Sequence, residues 1–216
     1  YEGGNINKTA LVCGMSWGTQ ASEKIIHRDG AQADSVLIAT APIGLGWAIE
    51  LFQSREVFRE KTVPPELLDW VEHYKDIPVV NLDAFREVWE LGVIDCGMDL
   101  TDGIIEFGYE IYERTGLGVV FCPGAPHPFV EYAAAHMMFE MGYDTPFSHG
   151  WCIRKEHVSA VQAILKKHKV PFTVLGEVTG DVSGVYRKTD RGLTPLPQYW
   201  DDKFRGGSGY EQWMEN

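Results

Sequence analysis

The stretch Val93-Ile94-Asp95-Cys96-Gly97-Met98-Asp99-Leu100-Thr101-Asp102-Gly103-Ile104-Ile105-Glu106-Phe107-Gly108 changes character in its middle. Its first half is apolar enough for a strand. Its second half carries Ile104 and Phe107, continued by Ile111 and Tyr112, near helical spacing. Glu106 falls in the first turn, where negative charge suits the helix dipole. A helix is therefore expected to begin at Asp102 or Gly103. Between the two halves, Asp99, Thr101 and Asp102 crowd two carboxylates and a hydroxyl into four residues.

Two explanations fit this crowding. Asp102 or Thr101 can accept a hydrogen bond from the free N–H groups of the first helical turn, as cap residues do. Capping needs only one such residue, which leaves Asp99 surplus. Carboxylates beside an exposed helix N-terminus and a glycine are also what a magnesium–phosphate group requires. Residue chemistry alone leaves both open.

The chain has 216 residues, of which 44% are hydrophobic, enough for one large domain or one domain with an added piece. A formal net charge of −12 argues against non-specific binding to nucleic acid or to an anionic membrane. A small molecule or a protein is the expected partner. Cys13, Cys96, Cys122 and Cys152 lie far apart in apolar runs, which suits reduced, core-facing thiols and a cytoplasmic location. No segment approaches the roughly 18 uncharged apolar residues of a membrane span. The start, Tyr1-Glu2-Gly3-Gly4-Asn5, has neither a signal-peptide pattern nor an initiator methionine, so an upstream part is expected.

Along the chain, Thr9–Met15 and Ala33–Thr40 have the character of buried strands, with Leu45, Ala48, Ile49 and Phe52 on one helical face after the second. The intervening Pro42-Ile43-Gly44-Leu45-Gly46 lacks the third glycine of a dinucleotide fingerprint and any Gly-Lys-Ser/Thr ending, so it is a plain connection. Pro64-Pro65-Glu66 opens a helix. Asp83 is expected to cap another, with Phe85, Val88 and Trp89 inward and Gly92 at its end. After the central helix, Gly116 is the stop and Leu117–Cys122 a strand. Pro123 to Pro146 holds a loop and a helix through Ala133–Phe139. Trp151–Ile153 is a strand, Val158, Val161, Ile164 and Leu165 form one helical face with Lys166 and Lys167 in water, and Val170–Val178 and Val182–Arg187 are strands. This β-α-β-β ending argues for an α+β fold over a doubly wound one. From Lys188 the chain is polar, with prolines and Gly206-Gly207-Ser208-Gly209, and is expected to be an extended tail.

His149 and Cys152 have a ligand-like gap, but a structural zinc site needs four ligands. Buried cysteine with surface histidine is the simpler account. No Gly-x-Ser-x-Gly elbow is present.

Three landmarks carry a resemblance. Gly3-Gly4-Asn5 is similar to the end of a glycine-rich segment, Met98-Asp99-Leu100-Thr101-Asp102-Gly103-Ile104 to an Ile-Asp-Ile-Ser-Asp-Gly-Leu motif, and Leu175-Gly176-Glu177-Val178-Thr179 to a closing strand. Together they resemble the C-terminal half of the aminoimidazole-ribonucleotide-synthetase (PurM-like) superfamily. Its members include thiamine-monophosphate kinase, selenophosphate synthetase, a hydrogenase maturation protein and formylglycinamidine ribonucleotide synthetase. The resemblance implies a mixed sheet with helices packed on one face. Residues 1–30 would be a linker and strand from a preceding ATP-binding half, 31–187 the C-terminal domain, and 188–216 the tail.

It also implies ATP and magnesium, used to phosphorylate a small substrate or to activate its amide or carbonyl oxygen. Asp99 and Asp102 would be metal ligands. Gly3, Gly4, Asn5, Thr101 and Gly103 would contact nucleotide, with no catalytic residue assigned. A homodimer, and an N-terminal half or partner subunit to complete the site, are implied as well. Asn5 departs from the kinase, which has an aspartate there, and would remove one metal ligand. The alternative from another class is a standalone binding or assembly module that keeps the fold without the chemistry.

Overall fold

The computed structural model describes residues 18–19, 21, 25–41, 65, 81–100, 103–122, 124, 148–196 and 198. The described elements are β1 (Val36–Ala39), α1 (Leu82–Glu90), β2 (Ile94–Asp99), α2 (Ile104–Thr115), β3 (Gly118–Phe121), β4 (His149–Ile153), α3 (Val158–Lys167), β5 (Thr173–Thr179), β6 (Val185–Thr189) and β7 (Gly192–Pro195). A 3₁₀ turn, Lys155–His157, leads into α3. The expected strand at Thr9–Met15, the helices after Pro42 and Pro65, and the region from Pro126 to Pro146 lie outside the described residues.

The strands form one sheet in the order β2-β4-β1-β5-β3-β6-β7. Neighbours are antiparallel except β3 and β6, which run parallel, so the sheet is mixed. Side chains alternate across it. Leu37 and Ala39 of β1 join Cys96, Cys152, Leu175 and the α2 residues Ile104, Phe107 and Ile111 in one core cluster. Ile38 points the other way, into a second cluster with Trp151, Ile153, Val88 of α1 and Val161, Ile164 and Leu165 of α3. The α+β fold with a mixed sheet is present, but the helices expected on one face cover both. The cause is legible in β1: all of Leu37, Ile38 and Ala39 are fully buried, and a strand apolar on both sides needs cover on both.

Helix α1 is capped by Asn81, whose Oδ1 accepts the Ala84 N–H at 2.9 Å. The expected cap, Asp83, is instead an exposed residue of the first turn. Asn81 serves because its extended backbone precedes the first helical residue. Helices α1 and α3 are joined at their polar rim, where Glu87 receives Lys167 Nζ at 2.8 Å and His168 Nε2 at 2.7 Å. Those bonds, Lys167 foremost, hold the Glu87 carboxyl below its ordinary value.

Residues 188–195, expected in an extended tail, instead finish one strand and form the next. Residues to Thr189 complete β6, a two-residue turn follows, and β7 returns with Tyr186 opposite Pro195. Beyond it, the Leu196 N–H donates to Val185 O at 2.9 Å and Tyr109 Oη donates to Leu196 O at 2.6 Å, tying the hairpin to α2. Cys122 also departs from expectation. It lies one residue past β3 and is exposed, whereas Cys96 and Cys152 are buried. Among the described residues no helix is long and apolar enough to cross a membrane.

The amphipathic face of α3 is placed as its spacing requires, with Val161 and Leu165 fully buried, Val158 partly so, and Lys166 and Lys167 exposed. Replacing Leu165 by alanine is expected to cost about 2–5 kcal/mol in a denaturant unfolding measurement. A loss within about 0.5 kcal/mol, the range of surface substitutions, would contradict this placement.

Candidate functional site

Antiparallel pairing brings the ends of β1 and β2 and the starts of β4 and β5 to one end of the sheet. Asp99, the last residue of β2, lies directly opposite His149, the first of β4. The loop residues are locked around them. His149 N–H donates to Thr40 Oγ1 at 3.0 Å, and Thr40 N–H donates to His149 O at 2.9 Å. Leu100 N–H donates to Ser148 O at 2.8 Å, and Thr173 Oγ1 donates to Ala41 O at 2.9 Å. Thr40 and Ser148 are buried polar residues, and each has its backbone in these bonds.

Asp99 is exposed, and His149 beside it is half-buried. The His149 ring meets Phe85 edge-on, centroids 5.0 Å apart, and its Nδ1 is buried with no hydrogen-bond partner among the described residues. Burial pushes the His149 pKa down, and the Asp99 charge opposes that shift. A neutral imidazole therefore stands beside an exposed carboxylate. Such a carboxylate can take a hard cation or a hydrogen-bond donor from solvent.

Helix α2 begins at Ile104, and its cap position is Gly103, which has no side chain to offer. Capping by Asp102 from that position is thereby replaced by a glycine in the conformation φ 92°, ψ 171°. That region belongs essentially to glycine alone. It lets the chain turn from strand to helix so that Gly103 N–H donates to Leu100 O at 3.0 Å while Leu100 enters the core. The first N–H groups of α2 thus receive nothing from a cap side chain at Gly103.

Met98 and Leu100 pack with α2, so the intervening Asp99 leaves the strand on the face covered by α1 and α3. Asp99 and the α2 N-terminus share an end of the sheet but flank it. Of the other residues singled out from sequence, Gly103 is described, whereas Gly3, Gly4, Asn5, Thr101 and Asp102 lie outside the described residues. No group of three or more histidine, cysteine or acidic residues able to hold a metal occurs among the described residues. His149 and Cys152 cannot share an ion, because three strand positions put them on opposite faces, with Cys152 in the α2 cluster.

In the sequence His149 stands out only through its spacing to Cys152. Its place beside Asp99 follows from strand register, for which the local sequence carries no signal. The other carboxylate of β2, Asp95, is engaged toward the opposite end. Ser35 Oγ donates to Asp95 Oδ2 at 3.3 Å and Arg154 Nε lies 3.4 Å from Asp95 Oδ1. Burial raises the Asp95 pKa, against the nearby Arg154 charge. This is a clasp between strands.

The model of the AIR synthase related protein C-terminal domain matches residues 32–188. This chain belongs to that family. Among solved structures, Escherichia coli HypE superposes with a TM-score of 0.65 at 13% identity, over 82% of this chain and 53% of that one. Thiamine monophosphate kinase (ThiL) from Aquifex aeolicus gives 0.56 at 13% identity, over 79% and 55%. AaThiL complexed with AMPPCP and TMP gives 0.52 at 15% identity, over 78% and 53%. At these identities the likeness is one of fold, a PurM-like C-terminal domain. The chain spans about half the length of these structures. A search of curated proteins found no match.

In this family member the glycine at 103 answers a backbone demand. Gly103→Ala is expected to destabilise the protein by about 1–3 kcal/mol in thermal or denaturant unfolding, whether or not nucleotide is present. Unchanged stability would contradict the strand-to-helix turn described.

Proposed function

We propose that this chain is the C-terminal part of an ATP- and magnesium-dependent enzyme that phosphorylates a small substrate or activates its amide or carbonyl oxygen. The observation that carries this is the exposed Asp99 carboxylate at the sheet end from which α2 starts, in a chain of the AIR synthase-related family. The complex of AaThiL with AMPPCP, an ATP analogue, and TMP supports a nucleotide and a small substrate as the ligands.

The donor chemistry fits magnesium in kind, since it favours carboxylate oxygen, but Asp99 alone is one ligand of the six that magnesium takes. Asp102 would supply a second. Thr101 and Gly103, with Gly3, Gly4 and Asn5, would line the nucleotide, and the N–H groups at the start of α2 would face its phosphates. Magnesium, when bound, would neutralise phosphate charge and orient the group to be transferred. Asp99 would hold its position through the β2–β4 pairing, and the neutral His149 ring would add no positive charge to compete with the cation.

The remaining ligands belong to an N-terminal half or a partner subunit, consistent with the chain's spanning about half of the structures it matches. A homodimer and a cytoplasmic location complete the proposal. A standalone binding or assembly module that keeps the fold without the chemistry is the second reading.

Asp99→Asn keeps size and removes charge. In the protein joined to its N-terminal half, it should weaken magnesium-dependent AMPPCP binding at least about tenfold, or 1.4 kcal/mol. Binding without magnesium and thermal melting should change little, because Asp99 is exposed. Calorimetric titration with and without magnesium measures this. Equal magnesium-dependent affinity in the variant and the parent would remove Asp99 from the site, and no nucleotide binding by the parent would favour the module.

A further inference from the structure

We infer that Cys96 and Cys152 are a redox pair that closes to a cross-strand disulfide when a hydroperoxide reaches it. The two residues stand directly opposite each other on β2 and β4 and both are buried in the α2 cluster. Facing residues of antiparallel strands have Cα atoms about 4.5–5.5 Å apart, inside the roughly 4.4–6.8 Å that a disulfide spans. A facing pair of this kind is within reach of closure by side-chain rotation.

The thiols are unequal. Cys96 Sγ donates to Arg28 O at 3.1 Å, and the two thiols also share a hydrogen bond. Donation from Cys152 draws the Cys96 pKa down, against burial and the nearby Asp29, with Arg28 assisting. The same bond, with burial, drives Cys152 well up. Cys96, on the end strand β2 of the described sheet, is the sulfur that attacks, and Cys152, on the inner strand β4, the one that resolves.

Access comes from the edge. Among the described residues β2 ends the sheet, and its outer side meets the preceding segment at the parallel bridge of His27 with Cys96. The edge of a sheet opens at lower cost than its interior. The Cys96 thiolate then attacks one peroxide oxygen. The S–O bond forms, the O–O bond breaks, and the departing alkoxide or hydroxide takes a proton, leaving a sulfenic acid. Cys152 sulfur next attacks Cys96 sulfur, the S–S bond forms, and hydroxide leaves with the Cys152 proton as water. One peroxide is reduced and two thiols are oxidised. The product would bolt the edge strand bearing Asp99 to β4, and a dithiol would reverse it.

The test uses the full chain carrying Cys13→Ser and Cys122→Ser, with hydrogen peroxide as the probe. Both remaining thiols should disappear together, with loss of the mass of two hydrogens, a Cys96–Cys152 linked peptide in a non-reducing digest, and recovery with dithiothreitol. Adding Cys152→Ser should let dimedone trap a sulfenic acid at Cys96. Should these variants fold poorly, the non-reducing digest of the wild-type protein must still contain the linked peptide. Overoxidation of Cys96 by added oxygens with Cys152 intact would overturn the inference. So would two unmodified thiols under conditions that oxidise Cys122 in the wild-type chain.

Discussion

Gly150 has no side chain, and the space one would take is filled by Phe107 and Leu100. A Cβ built there would lie 2.6 Å from the Phe107 ring and 2.8 Å from Leu100. This close approach seats α2 on β4, and the chain between Leu100 and Phe107 has to turn within that seat. The glycine-only conformation of Gly103 accomplishes the turn, Leu100 is driven into the core, and Asp99 is left at the rim. One close contact between a helix and a strand thus goes with Leu100 turned inward and Asp99 toward solvent.

The sheet extends that constraint outward. β4 lies between β2 and β1, so the register that places Met98 opposite Gly150 also places Asp99 opposite His149 and Cys96 opposite Cys152. The polar pair belongs to the open end of the sheet, and the thiol pair to the closed interior. Helices α1 and α3 cover the opposite face and supply Phe85, the ring against which His149 rests. Burial beside that ring holds the imidazole pKa down, against the charge of Asp99.

Elements whose evidence lies within a few residues were legible in the sequence. The faces of α2 and α3, the stop at Gly116 and the strand nature of β2 through β5 follow from periodicity and glycine placement. Features set by distant residues were not. The N-cap passed to Asn81 because a cap depends on where the backbone first turns helical, and both Asn81 and Asp83 carry suitable side chains. β7 was hidden because Gly192–Pro195 is exposed throughout and has no apolar alternation to announce a strand; pairing with β6 makes it one. The distribution of helices over both faces depends on the two-sided burial of β1. His149 depends on register alone.

The central claim is that magnesium and nucleotide meet the protein at the end of the sheet where Asp99 and the start of α2 lie. Amide chemical shifts, recorded for the protein joined to the N-terminal half proposed for it as AMPPCP and magnesium are added, test it most directly. The account predicts that the perturbed residues within this domain cluster at Asp99, Leu100, Gly103, Ile104 and His149. Perturbations gathered instead at the Asp95, Ser35 and Arg154 clasp, with Asp99 and Gly103 unmoved, would contradict it.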